Sequence, residues 1–275
     1  RKLETLRMKI LYHSPCVDGW AAAYLFKKVY PDAELIPVKY GDEPPDGLDG
    51  QDIVIVDFSY GKQVLLRINQ RARSLLVLDH HKTAQANCEG LDFCQFDMTR
   101  SGAMMAYDYL VQHPGRKLEP YRKLIEYIQD RDLWGNKLAD TKAVSAYLRC
   151  VQMDECNWDV LLEIIKRDWA GLLDRGYAIL DYQERSIEEH MSRQYIDNRF
   201  LEYQIPIVNC SDLSIISELL NRLCKGYPFA ASYYYDEIRK LEIWSLRSDK
   251  NGIDVSNVAT IFGGGGHKHA AGFTK

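Results

Sequence analysis

Three short apolar runs in this chain each end on residues that bind metal ions. They are Lys9-Ile10-Leu11-Tyr12-His13, Ile53-Val54-Ile55-Val56-Asp57 and Leu75-Leu76-Val77-Leu78-Asp79-His80-His81. Short apolar runs separated by helical patterns read as strands of a parallel sheet covered on both faces. Open sheets of this kind bind ligands beyond the carboxyl ends of their strands. Three strands tipped with acid or imidazole therefore predict a metal centre at one edge of the sheet.

The rest of the first half agrees with that reading. Gly19 to Tyr30 has a helical pattern, with Ala22, Leu25, Phe26 and Val29 on one face. Leu35 to Val38 reads as a short strand, placed near a sheet edge by Pro37. Residues 41–50 (GDEPPDGLDG) form a loop by composition, and Gln63 to Ala72 a helix. Ser101-Gly102 opens a helix through Tyr109, Leu118 to Gln129 reads as another, and His113 before Pro114 as a helix end. From Trp158 to about Phe200 the pattern is helical and charged, with two connecting helices expected because Gly171 and Gly176 interrupt it. Beyond that, Tyr203 to Val208 is a predicted strand, Leu213 to Leu223 a helix, and Phe229 to Tyr235 with Leu241 to Leu246 an antiparallel pair. Asp254 then caps a helix through Phe262. The predicted fold class is α/β: a doubly wound parallel-sheet metal-binding domain plus a smaller α+β substrate-binding domain, joined by helices. The expected boundaries are 1–150, a helical connector over 151–202, and 203–275.

Composition bounds the partners. At 275 residues the chain has room for two cores. A net charge of -4 argues against a broad basic surface for long duplex DNA, but not against a short anionic ligand in a local pocket. The seven cysteines are scattered with no Cys-x-x-Cys pair, which fits a reduced compartment. No apolar run approaches the length of a membrane helix, and no secretory leader is recognisable, so a cytoplasmic location is expected.

Four segments carry the chemistry. His13-Ser14-Pro15-Cys16-Val17-Asp18-Gly19 lies between a strand and a helix, where a loop can aim His13, Cys16 and Asp18 at one point. Taken alone it reads better as a turn with Asp18 as a helix cap. Val56-Asp57-Phe58-Ser59 ends the second run. In Asp79-His80-His81 the adjacent imidazoles are expected to point to opposite sides, so that one ligates while the other faces substrate. Asp130-Arg131-Asp132-Leu133-Trp134 ends a helix, where a solvated ion-pair cluster is the plain alternative. Imidazoles and carboxylates without a thiolate cage suit manganese, iron or zinc, and several acids favour two ions sharing one bridging carboxylate. Asp57 is the natural bridge because its strand is expected at the sheet centre. Near the carboxyl end, Gly263-Gly264-Gly265-Gly266-His267 leaves backbone amides open to an anion, and Arg247 closes a strand in a place suited to phosphate.

In order, the motifs His-x-x-Cys-x-Asp-Gly, Val-Asp-Phe-Ser, Asp-His-His, Asp-x-Asp-x-Trp and Gly-Gly-Gly-Gly-His-x-x-Ala-Ala-Gly resemble the DHH phosphoesterase superfamily. More narrowly, they resemble members with the DHH-associated carboxyl-terminal domain, such as oligoribonucleases and cyclic-dinucleotide phosphodiesterases. The resemblance spans nearly the whole chain. It implies two Mn²⁺ ions, with other divalent metals open, held by His13, Asp18, Asp57, His80 and one of Asp130 and Asp132. Between those two the Asp-x-Trp form favours Asp132. It further implies that Asp57 bridges the ions, that His81 sits by the scissile phosphate, and that Asp79 supports a ligand imidazole. Arg247, Gly264, Gly265, Gly266 and His267 match the nucleotide-binding residues. Cys16 departs from the pattern, since many members carry an aspartate there and their first histidine lies one residue further away. It is a candidate ligand or a bystander, and one metal site is then weaker or prefers another ion.

The expected activity is metal-dependent hydrolysis of short oligonucleotides or linear dinucleotides to mononucleotides, with Asp57, Asp79 and His81 as catalytic residues. The substrate is expected in a cleft under the second domain. Alternatives are a nucleoside bisphosphate phosphatase, a cyclic-dinucleotide phosphodiesterase, and a nucleotide-binding sensor whose metal site Cys16 disables. The partner expected is a short nucleic acid or nucleotide, with no membrane, and homodimerisation stays open.

Overall fold

The computed structural model describes residues 8–112 and 118–275, without the side chains of Thr83, Asn87 and Asn198; His113 lies outside the described residues. By its contacts the chain divides into two compact units, Arg1–Tyr177 and Ala178–Lys275.

In the first unit the chain runs β1 (Met8–His13), α1 (Val17–Val29), β2 (Glu34–Val38), β3 (Asp52–Val56), α2 (Lys62–Arg71), β4 (Ser74–Asp79), α3 (Lys82–Cys88), β5 (Cys94–Phe96) and α4 (Gly102–Val111). Then follow α5 (Arg122–Asp132), α6 (Thr141–Leu148) and α7 (Glu155–Arg167), and α8 (Trp169–Ser192) carries the chain into the second unit. The sheet order is β2-β1-β3-β4-β5 and every pairing is parallel. As expected, β2 with Pro37 is an edge strand and β3 is central. Residues of α1, α4, α5 and α7 pack on one face, with Trp20, Trp158 and Ile125 in a single apolar cluster. Leu65 and Ile68 of α2 and Cys88 of α3 cover the other. A parallel sheet covered by helices on both faces is the doubly wound arrangement.

Some elements differ from the reading of the sequence. Helix α7 was expected in the connector, yet its apolar stripe of Trp158, Leu161, Leu162 and Ile165 is buried in the first unit's core. The two predicted helices break at Asp168, not at the glycines. Gly171 and Gly176 lie inside α8, and a side chain at Gly176 would strike the Ala143 carbonyl, so that glycine permits close helix packing. Tyr195 to Phe200, read as helical, is strand β6. Its partner is β7 (Tyr203–Asn209), and pairing with a later strand overrides local charge patterning.

The second unit continues with α9 (Ile216–Leu223), β8 (Ala230–Asp236), β9 (Leu241–Arg247), α10 (Val255–Ile261), β10 (Gly265–His267) and β11 (Ala270–Thr274). Its six-stranded sheet has the order β10-β11-β9-β8-β7-β6 and is mixed, since β7 and β8 run parallel while the other pairs are antiparallel. Asp254 caps α10 by accepting from the Ser256 amide at 3.0 Å, as its position implied. Among the described residues no helix is long and apolar enough to cross a membrane.

Candidate metal centre and anion site

The strand tips of the first unit converge. His13 ends β1, Asp57 follows β3, and Asp79 ends β4. Because β3 lies between β1 and β4, Asp57 is flanked by both neighbours' tips. Its backbone is left-handed, with φ 54°, an uncommon conformation for a residue with a Cβ. Two glycines make room. A Cβ on Gly102 would lie 2.6 Å from the Asp57 Cβ and 2.9 Å from Asp18 Oδ2, and a Cβ on Gly19 would strike the His13 carbonyl. The amino ends of α1 and α4 therefore close directly on the strand tips.

Three groups of potential ligand atoms lie within metal-binding reach: His13, Cys16 and Asp57; Asp57, His80 and His81; and Asp18, His80 and Asp132. His80 Nε2 stands 3.1 Å from Asp57 Oδ1, 3.5 Å from Asp132 Oδ2 and 3.8 Å from Asp18 Oδ2. Across Asp57, the Oδ2 atom faces His13 Nδ1 at 3.6 Å, and both atoms are buried without a hydrogen-bond partner. Two orphaned ligand atoms facing one another, inside a ring of acids and imidazoles, fit a cation. Asp18 is fully enclosed and takes the Gly102 and Ala103 amides at 2.6 and 3.0 Å, so the amino terminus of α4 fixes its carboxylate.

The electrostatics point the same way. Burial, then the charges of Asp132 and Asp57, push the Asp18 carboxyl well above the usual range. Burial and Asp57 raise Asp132 to about 6. The Cys16 thiol rises with burial and with Asp57 and Asp18 beside it. Burial opposes the imidazolium of His80, yet Asp57, Asp132 and Asp18 bring it up to about 9. For Asp57, burial is outweighed by His13, His80 and His81, which hold it below the ordinary carboxylate range. Excess negative charge packed this closely calls for protons or metal cations.

The structure separates the ambiguous acids. Asp132 faces His80, whereas Asp130 turns away to accept from the Lys137 and Leu138 amides and the Thr141 hydroxyl at 2.9, 3.0 and 2.5 Å. It thereby organises residues 137–141 and lies outside the cluster. The two histidines require a correction. They do not point to opposite sides: their rings are 4.7 Å apart and both face Asp57. Strand β4 ends at Asp79, and His81 is already the cap of α3, so strand alternation no longer governs them. Asp79 lies behind His81: its Oδ1 accepts from the His80 and His81 amides at 2.8 and 3.2 Å and meets His81 Nδ1 at 2.7 Å.

Several other cationic and aromatic residues have structural roles. Arg100 is paired to Asp97 and Asp108 at 2.7 and 2.8 Å. Trp20 is a core residue against Tyr12, Tyr24 and Trp158. Tyr233 stacks on Trp244. Tyr40 was missed. It follows β2 and its ring makes T-shaped contacts with His13 and His81 at 5.2 and 5.8 Å; the only sequence signal is its position past a parallel strand's carboxyl end.

The second unit holds a different site. Arg247 ends β9 with its guanidinium largely buried, bonded to the Ser217 hydroxyl and the Leu246 carbonyl at 3.0 and 2.8 Å. Its Nε is buried without a partner, and among the described residues no carboxylate pairs with it. Burial lowers it to about 10, so it stays cationic at neutral pH. Strand β11 brings Ala270 opposite Arg247, and β10 pairs beyond it. A side chain at Gly264 would strike the Gly272 carbonyl, and Gly266 sits at φ 144° against Ala271, whereas Gly265 looks into open space. Edge strand β10 keeps one side of its backbone without a ladder partner, and His267 at its end is exposed.

No protein-family model matches the chain. Among curated proteins it is 30% identical over 285 residues to an uncharacterized protein of Acanthamoeba polyphaga mimivirus, covering 96% of this chain and 66% of that one. It is 27% identical to oligoribonuclease NrnB of Bacillus subtilis over 80% of this chain and 58% of the relative. The chain thus spans about two thirds or less of these relatives' length. Among solved structures it is similar to a DHH domain described as a member of the s1p family of ribosomal proteins, with 12% identity, TM-score 0.62 and coverage of 98% and 82%. It is also similar to a pGpG-specific phosphodiesterase from Vibrio cholerae, with 12% identity, TM-score 0.53 and coverage of 98% and 93%. At these identities the two structures speak to the fold.

Proposed function

We propose that the chain is a phosphoesterase of the DHH type that hydrolyses phosphodiester bonds in short oligonucleotides or linear dinucleotides, releasing mononucleotides. The observation that carries the reading is the convergence of His13, Asp18, Asp57, His80 and Asp132 around the Asp57 carboxylate at the carboxyl edge of the sheet, in adjoining groups on its two sides. A relative named as an oligoribonuclease and a structural neighbour named as a pGpG-specific phosphodiesterase favour that substrate class over long nucleic acid.

In this reading Asp57 offers its two oxygens in two directions, Oδ2 with His13 and Cys16, and Oδ1 with His80, supported by Asp18 and Asp132. Two divalent ions, manganese in expectation, would supply Lewis acidity toward the phosphoryl oxygens and lower the pKa of attacking water. Asp79 holds the His81 ring through Nδ1, which orients it to donate a proton or a hydrogen bond as charge develops on the leaving oxygen. The α4 amides keep Asp18 in place, and Gly102 lets Asp57 hold its left-handed backbone.

The second unit would bind the substrate's phosphate or terminal nucleotide. A cationic Arg247 with no acid partner among the described residues, the open space at Gly265, and His267 would offer donors to an anion, while Gly264 and Gly266 let the chain run close against β11. The test is a time course with Mn²⁺, Mg²⁺ and Zn²⁺ on 5′-phosphorylated RNAs and DNAs from two to about twenty nucleotides. Fastest release of mononucleotides from the shortest substrates is expected. Faster cleavage of the longest ones, or turnover confined to nucleoside bisphosphates, would overturn the reading.

A further inference from the structure

Donors and acids dominate the cluster at the sheet edge, and Tyr40 brings a flat apolar surface to it. Strand β2 ends at Val38, which pairs in register with His13, and the Ser14 amide donates to the Val38 carbonyl at 3.0 Å. Two residues later Tyr40 lies over that tip. One flank packs on Phe58 at 4.8 Å, and Phe58 rests in turn on Tyr60 at 4.8 Å. Phe58 is 1% exposed, so the ring stands on a rigid support, while Tyr40 itself is 51% exposed. It makes T-shaped contacts with His13 and His81, the imidazoles on the two sides of Asp57. Large exposed aromatics usually find a partner, since leaving one in water forfeits apolar burial.

We propose that Tyr40 is a specificity residue that stacks the nucleobase next to the scissile phosphate. The proposal rests on the reading of the site as a nucleotide phosphodiesterase. A phosphodiester seated at Asp57 carries its base a sugar's length away, and Tyr40 is a half-exposed aromatic ring packed beside the imidazoles there. Stacking of this kind tolerates every base, because each has a π-face. It would therefore select nucleotides over other phosphate esters without selecting a sequence.

The experiment compares wild type, Tyr40→Ala and Tyr40→Phe on a 5′-phosphorylated dinucleotide and on the same dinucleotide lacking one base. Manganese content is measured for each protein, because a merely structural tyrosine would act through His13. For Tyr40→Ala, kcat/KM on the intact dinucleotide is expected to fall roughly 5- to 100-fold, the range of a base–aromatic stack, mainly through KM. On the base-free substrate the loss should be at most about twofold, with metal content unchanged. Tyr40→Phe, which keeps the ring, should rescue. Equal losses on both substrates, loss of manganese, or failure of Tyr40→Phe to rescue would each overturn the proposal. A binding arm stands apart from turnover: AMP and ribose 5-phosphate are titrated by calorimetry into the manganese-loaded proteins. Tyr40→Ala should weaken AMP and leave ribose 5-phosphate unchanged, and equal AMP affinity in both proteins defeats stacking. Absence of turnover with intact AMP discrimination would instead count against the phosphodiesterase reading alone.

Discussion

Asp132 shows how a proposed metal ligand can oppose stability. Burial and Asp57 raise it to about 6, above the ordinary value of about 3.9 for an unfolded aspartate. The folded, metal-free protein then holds this proton more tightly than the unfolded chain. Its stabilising effect is complete below about pH 4 and is lost as pH rises through about 6. In the presence of a chelator, Asp132→Asn should therefore melt higher than wild type above pH 6, and the gap should close near pH 4. Thermal unfolding across that range checks it; a wild type more stable than Asp132→Asn at pH 7 would contradict it. Gly102 belongs to the same scale. Because a Cβ there would press on the Asp57 Cβ and Asp18 Oδ2, Gly102→Ala should cut manganese binding at least about tenfold and lower the melting temperature, as metal titration and calorimetry would show. Most of the donor set was legible in the sequence, since acids and imidazoles at strand ends need no tertiary information to be noticed. The paired facing of His80 and His81 was not, because it depends on where β4 stops. Tyr40 was not either, because its role comes from the strand beside it in space.

At the scale of elements, local pattern served best where a strand is a continuous apolar run covered on both faces or a helix meets the core with one face. The strands β1, β3 and β4, the edge position of β2 and the Asp254 cap follow from local pattern. Helix α7 could be read as a helix, but not as part of the first core, because nothing local says which surface its stripe covers. Trp158 is fully buried against Trp20 and Tyr24, with ring centroids 6.1 and 5.4 Å away. Trp158→Ala should cost about 3–5 kcal/mol in urea unfolding, the usual range for a deleted core tryptophan. A loss under about 1 kcal/mol would mean that α7 is peripheral to the first unit. Strand β6 was misread because its residues are polar and charged, and their strand state comes from pairing with β7.

At the scale of the whole molecule, the two units carry different parts of the proposed chemistry, one the acids and imidazoles and the other a buried arginine with no carboxylate partner among the described residues, one strand away from a glycine-rich edge strand. Arg247→Ala should raise KM for a dinucleotide about tenfold or more while manganese content stays at the wild-type level; a variant that loses metal instead would place Arg247 in the folding of the centre. The reverse separation is the most direct test of the central claim. Wild type and Asp57→Ala are purified, loaded with Mn²⁺, analysed for bound metal and assayed on a 5′-phosphorylated dinucleotide. Wild type should bind manganese and release mononucleotides, and Asp57→Ala should lose metal and fall by at least about a thousandfold in rate while remaining folded. Full turnover by Asp57→Ala would contradict a hydrolytic centre built on Asp57.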